Sequence, residues 1–260
     1  MKKFVLVLAI ILCVVSIIGG KIYWNHRIQQ MTQTSQTASH LTAGLQLNDS
    51  SNLPIVKQIK KLPKTLQKAA LKAYKTSGQV RIAWVGDHSA QTDAALLQTS
   101  LDNTFGSSFF VVTPIDLGTV NSLQFNQVKT DKLFKAISGK PDAVLYTPLI
   151  YNDDHQVGTN DTATVTGYFQ KKVKTSYPNA AFYAVMPNPS SQFTYMSDRI
   201  RSIEGTLQKQ KIATINPFSK LPKGTSLKKL LGSDGRTLSS KGQNVWIQAF
   251  AKQWGLKKTQ

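Results

Sequence analysis

Three short stretches carry the side chains that could do chemistry. In "RIAWVGDHSAQTDAALL" (81–97) an apolar run ends in a Gly-Asp step, followed at once by His88 and Ser89. A strand turning sharply into a helix presents its turn residues beyond the sheet edge, and a hydroxyl served by an imidazole is the pairing that acyl transfer uses. The hydroxyl must give its proton to a base that titrates near neutral pH and that later returns it to the leaving group. Ser89 is the candidate nucleophile, and the candidate base is His88 or else His155 of "YNDDHQVG" (151–158). Neighbouring residues on such a turn point in different directions, so His88 does not easily reach the Ser89 proton. Serine at this place is equally an ordinary helix N-cap. His88, Asp153, Asp154 and His155 are also metal-ligand types, but their spacing matches no recognised metal pattern. No metal or other cofactor is expected. His26 and His40 are given no role.

The elements that must position these residues are short apolar runs at 80–86, 108–117, 142–150, 180–187 and 211–218, alternating with helical patterns at 91–105, 129–138, 161–176, 193–209 and 240–254. Strands that are apolar on both faces and separated by helices belong to a parallel sheet covered on both sides. The expected fold is α/β, a three-layer α/β/α sandwich with a mainly parallel five-stranded sheet. Sites in such folds form at the carboxyl ends of the strands, which directs attention to residues 86–89, 116–119 and 151–154. Tyr183, Phe193, Tyr195 and Trp246 are aromatic candidates for a sugar cleft. A strand position for Tyr183 and an amphipathic helix for Trp246 make core the simpler reading of those two.

Gly86-Asp87 after the first strand, a Gly after the second, "YNDD" after the third and "DGRTLSSKGQNVW" (234–246) opening the last helix together resemble the SGNH/GDSL hydrolase family over about residues 80–255. The resemblance implies ester hydrolysis or acyl transfer. It implies a first-block Ser as nucleophile, whose N–H forms an oxyanion hole with a Gly of the second block and an Asn of the third, and a closing Asp-x-x-His that supplies orienting acid and base. Gly86 and Asp87 match the first block, Gly118 the second, Asn152 and Asp153 the third, and Asp234 the final Asp. The reacting positions depart from the pattern, with His88 where the Ser belongs and Thr237 where the His belongs. A threonine hydroxyl cannot act as that base, and in a well-studied serine hydrolase losing nucleophile or base costs on the order of 10⁶ in turnover. Two readings follow. One is an SGNH-like module that keeps the cleft for binding, with esterase chemistry weakened or lost. The other is an active esterase or acyltransferase using Ser89 as a shifted nucleophile with His88 and Asp234. In both, Gly118 and Asn152 are oxyanion-hole-like, and Asp87, Asp153 and His155 face substrate.

The amino terminus sets the compartment. Two lysines precede an apolar run from Phe4 to about Gly20, roughly a bilayer core in length though slightly short. No small-x-small cleavage site follows it, so a retained anchor (1–24) is preferred over a cleaved signal. The expected location is the cell membrane, single-pass, with the carboxyl-terminal domain extracytoplasmic. Cys13, the only thiol, lies in the anchor, so the exported part has neither disulfides nor thiol chemistry. A Gln/Thr/Ser-rich spacer (25–52) has too few apolar residues to order itself. A basic amphipathic segment (53–78) leads into an SGNH-like domain (79–257). From Ser50 to Gly86 no residue is acidic, and Lys64, Lys68, Lys72 and Lys75 line one face. That face can lie on anionic headgroups, or the helix can pack on the domain with its lysines in water. A formal charge of +19 outside the cell points to an anionic envelope polymer or acylated glycan, of teichoic-acid type, and not to nucleic acid.

Overall fold

The computed structural model describes residues 53–219 and 225–257, so the expected anchor and spacer lie outside the described residues. Among the described residues no helix is long and apolar enough to cross a membrane. The strands β1 (Val80–Gly86), β2 (Phe110–Asp116), β3 (Ala143–Tyr146), β4 (Ala181–Val185) and β5 (Thr214–Ile215) form one sheet in the order β2-β1-β3-β4-β5. Every neighbouring pair is parallel. Each strand falls within an expected apolar run; β1, β3 and β4 are buried along nearly their whole length, while the edge strand β2 is only partly covered.

The helices are α1 (Pro54–Ile59), α2 (Lys64–Lys75), α3 (Ser89–Phe105), α4 (Ser122–Phe125), α5 (Thr130–Leu133), α6 (Thr159–Ser176), α7 (Tyr195–Lys209), α8 (Thr225–Lys228) and α9 (Ser240–Trp254). One core joins α1, α2, α3 and α9 to Val80, Ile82, Trp84, Leu145 and Tyr183 of the sheet. The other joins α4, α6 and α7 to Val85, Val144, Tyr146 and Phe182. The expected helix over 129–138 is instead α5 followed by a 3-10 turn at Phe134–Ala136.

The segment 53–78 belongs to the first core. Ile59, Leu66, Ala70 and Ala73 are buried in it, each large apolar side chain contributing roughly 1.5–3 kcal/mol. Thr65 hydrogen-bonds Tyr183, and Gln58 donates to the Gly255 carbonyl. Lys64, Lys68, Lys72 and Lys75 stay exposed. Under α9, Trp84 packs on Trp246 and Phe250 with ring centroids 5.6 and 5.9 Å away, while its indole N–H donates to Thr147. Tyr183 and Trp246 are therefore core and line no cleft.

This strand order sends the chain from β1 outward to β2 and then back across β1 to β3. Connections on opposite faces of the sheet leave a crevice between the carboxyl ends of β1 and β3. The register pairs Gly86 with Asp116, so the β2 loop begins beside the turn at 87–89.

Candidate functional site

The β1 turn is shaped by its acid. Asp87 is buried, and its Oδ1 accepts the Ser89 N–H at 3.0 Å. This bond satisfies one of the unpaired donors at the start of α3. His88 holds the N-cap position and Ser89 is the first helical residue, so the Ser89 hydroxyl is not the cap, and Asp87, two residues before Ser89, supplies the acceptor. Asp93 follows Ser89 by one helical turn on α3. Burial first, and then the charge of Asp87, push the Asp93 carboxyl up to about 7, against a smaller lowering by Ser89.

His88 is oriented by Asp116, the last residue of β2. Its Nδ1 lies 2.8 Å from Asp116 Oδ2, and the ring is 73% exposed. Desolvation raises the Asp116 carboxyl, but the Gly118 N–H, the His88 ring and Gln91 together outweigh it and hold the group below its ordinary value. The signal for this pair was positional, since Asp116 ends the strand that runs beside β1.

Gly118 and Asn152 come together, but their donors are committed to the protein. Gly118 takes φ +61, a left-handed conformation that favours glycine, and a Cβ there would sit 3.8 Å from the His88 ring. Its N–H donates to Asp116 Oδ1 at 2.7 Å. Both hydrogens of the Asn152 amide go to carbonyls of the same loop, those of Gly118 and Val120, at 2.9 Å each. An oxyanion hole needs donors aimed at the place where charge develops. Here they brace a loop.

Asp153, expected to face substrate, is fully buried. Its carboxylate accepts from the Ser122 N–H, the Ser122 hydroxyl and the Thr162 hydroxyl, each at 2.6 Å, tying the β3 loop to α4 and α6. The adjacent loop residues are outward. His155 is in the left-handed region at φ +57 with its ring in solvent, 3.6 Å from Asp154. Asp154 also accepts the Tyr195 hydroxyl at 2.5 Å and faces Arg199.

Asp234 caps its own loop and orients no base. It takes the Thr237 hydroxyl and the N–H groups of Arg236 and Thr237, which in that order of cause hold it below the ordinary carboxylate range. The residue that bridges into the crevice is the unforeseen Arg236. Its guanidinium pairs with Asp87 and lies 4.0 Å over the Tyr151 ring. The Tyr151 hydroxyl donates to the Asn188 carbonyl, and the Asn188 amide donates to the Arg236 carbonyl. Its sequence signal was slight, a lone cation in "DGRT".

The loops after β1, β2, β3, β4 and β5 therefore meet in one crevice. The carboxylates there are matched by basic partners, Asp87 by Arg236, Asp116 by His88 and Asp154 by Arg199. Among the described residues no three His, Cys, Asp or Glu side chains are grouped to hold a metal ion. A cavity of about 720 Å³ opens beside the crevice at the β4 and β5 ends, lined by Pro187, Ser190, Thr194, Arg201, Asn216 and Phe218 among others.

No protein-family model and no curated protein matches this chain. Solved structures do. A peptidoglycan O-acetylesterase is similar over 78% of this chain and 95% of its own, at 10% identity and a TM-score of 0.57. A carbohydrate esterase family 3 protein from Talaromyces cellulolyticus is similar over 67% and 95%, at 13% identity and 0.51. A protein from Streptococcus pneumoniae is similar over 75% and 93%, at 16% identity and 0.51. At these identities the likeness is one of fold, and the fold is that of the SGNH hydrolases.

Proposed function

We propose that this chain is a membrane-anchored, extracytoplasmic protein of SGNH-hydrolase fold that binds an acylated or anionic cell-envelope glycan polymer and has lost ester cleavage. One observation carries the reading: the N–H groups of Gly118 and Asn152, which would hold an oxyanion, are all spent on protein acceptors. Losing one such donor from an oxyanion hole costs about 2.7–4 kcal/mol of transition-state stabilisation. In the same direction, Asp116 rather than Asp234 orients the imidazole, and Thr237 stands where a base is needed. The glycan esterases among the structural neighbours support a glycan ligand. The distribution of charge divides the work: the lysines of α2 and the net charge of +19 suit polymer phosphates, while the crevice, where carboxylates are matched by Arg236, Arg199 and His88, suits hydroxylated, uncharged parts of the polymer.

The alternative is an active esterase or acyltransferase with Ser89 as nucleophile. It is favoured by the place of Asp93 one helical turn from Ser89, with a carboxyl raised to about 7 and so in a general base's working range. The full chain, purified in mild detergent, decides between them. It is expected to turn over no acetyl ester above buffer, and to retain teichoic-acid-type polymer with an affinity that falls as salt screens the charges. Ester turnover abolished by Ser89→Ala would establish the alternative, and absence of polymer binding would remove the primary reading.

A further inference from the structure

We infer that Phe193 and Tyr195 form a sugar-stacking platform at the crevice mouth, with Asp154 as its hydroxyl acceptor and the neighbouring cavity as its continuation. The inference rests on the glycan-binding reading above and names where the ring of a neutral pyranose sits. Few large apolar side chains are exposed among the described residues. Two of them are Phe193 at 45% and Tyr195 at 43%, whose ring centroids lie 6.1 Å apart in an edge-to-face arrangement. His155 extends the group, its ring 6.3 Å from that of Tyr195.

The setting selects the ligand. A pyranose has an apolar face of C–H groups and a rim of hydroxyls, so it needs an aromatic face with charged or polar groups at its edge. Tyr195 offers both, because its hydroxyl donates to Asp154 Oδ2 at 2.5 Å and so sets a carboxylate at the rim of the ring. Thr194, between the two aromatic residues, lines the cavity of about 720 Å³, whose walls add Ser190, Ser191 and Ser197. The wall interleaves these hydroxyls and Arg201 with Pro187, Ile200 and Phe218, a mixture that matches a sugar's hydroxyl rim and C–H face, whereas a lipid chain would call for a continuous apolar groove. The loop is also held in advance of binding. Ser190 Oγ accepts the N–H groups of Gln192 and Phe193 at 3.1 Å and donates to the Gly235 carbonyl at 3.1 Å. Ordering costs on binding are correspondingly small.

The test titrates the full chain in mild detergent with two neutral probes, a tetramer of N-acetylglucosamine and a tetramer of xylose, and with unglycosylated poly(glycerol phosphate). At least one tetramer is expected to bind with little dependence on salt. Phe193→Ala and Tyr195→Ala should each weaken that binding about tenfold, the scale of a lost aromatic contact. Tyr195→Phe keeps the ring and should retain most of the affinity. Tyr168→Ala, which removes an exposed ring on α6, should change nothing. Unchanged tetramer binding in both alanine variants overturns the platform. Binding of poly(glycerol phosphate) without either tetramer also overturns it, while leaving the broader polymer-binding reading in place. Failure of all three probes removes both.

Discussion

Replacing Asp93 by Asn tests the electrostatics of the β1 turn. Asp93 is half-buried on α3, one turn from Ser89 and under the charge of Asp87, with its carboxyl raised from 3.8 to about 7. A group with a raised folded-state pKa contributes stability that is fully present below the unfolded value and is lost as pH climbs through the folded one. The folded protein holds this proton between about pH 4 and 7 while the unfolded chain has released it, so stability declines as pH rises through that window. Between pH 5 and 8 the linkage amounts to roughly 2.5 kcal/mol from these two pKa values. Water at the half-buried carboxyl relaxes part of the cost and leaves roughly 1–2 kcal/mol to be read. Asparagine is close to aspartate in shape and cannot titrate. Urea unfolding of both proteins at half-unit pH steps is the assay, with the four histidines common to both and cancelling in the difference. The variant is expected to gain on the parent by roughly 1–2 kcal/mol from pH 5 to 8. Parallel curves across that interval would refute the raised carboxyl, and with it the proposed base for Ser89.

Two further outcomes follow from the packing. Asp153→Ala orphans three buried donors on Ser122 and Thr162, and at about 1–3 kcal/mol for an unsatisfied group, with Thr162 able to turn to Gly158, a loss of about 3 kcal/mol is expected in urea. A loss below about 1 kcal/mol would show that the carboxylate is not the clasp between the β3 loop, α4 and α6. Gly242→Ala would place a Cβ 2.0 Å from the Leu230 carbonyl oxygen, a backbone collision that cannot be relieved by a side-chain turn. Thermal unfolding should fall by roughly 6–12 °C, about 3 kcal/mol for a domain of this size, and an unchanged midpoint would contradict the close docking of α9.

The layers of the fold were legible because both-face burial leaves an uninterrupted apolar run, and "VRIAWVG" or "AAFYAVMP" can hardly serve anywhere but mid-sheet. The same logic found α6, α7 and α9, whose spacing repeats long enough to be read. It failed at 129–138, where the chain turns too soon for periodicity to distinguish an α-helix from a 3-10 turn. It also separated residues 53–78 from the domain they complete, since a lysine-rich helix exposes one face whether its other face meets a bilayer or a protein core.

What the residues alone determined was a set of loops at one sheet edge, with His88 and Thr237 among their side chains, because alternation of strands and helices dictates which ends of the chain segments gather. Only the tertiary structure decided where the polar groups of those loops point. The resemblance assigns Gly118 and Asn152 to an oxyanion hole, yet a hydrogen bond forms with whichever acceptor folding brings within about 3 Å, and here those acceptors are Asp116 and two loop carbonyls. The partners Asp116 for His88 and Arg236 for Asp87 are separated from them by 28 and 149 residues. Contacts of that span are set by strand register and loop convergence, which no local pattern encodes.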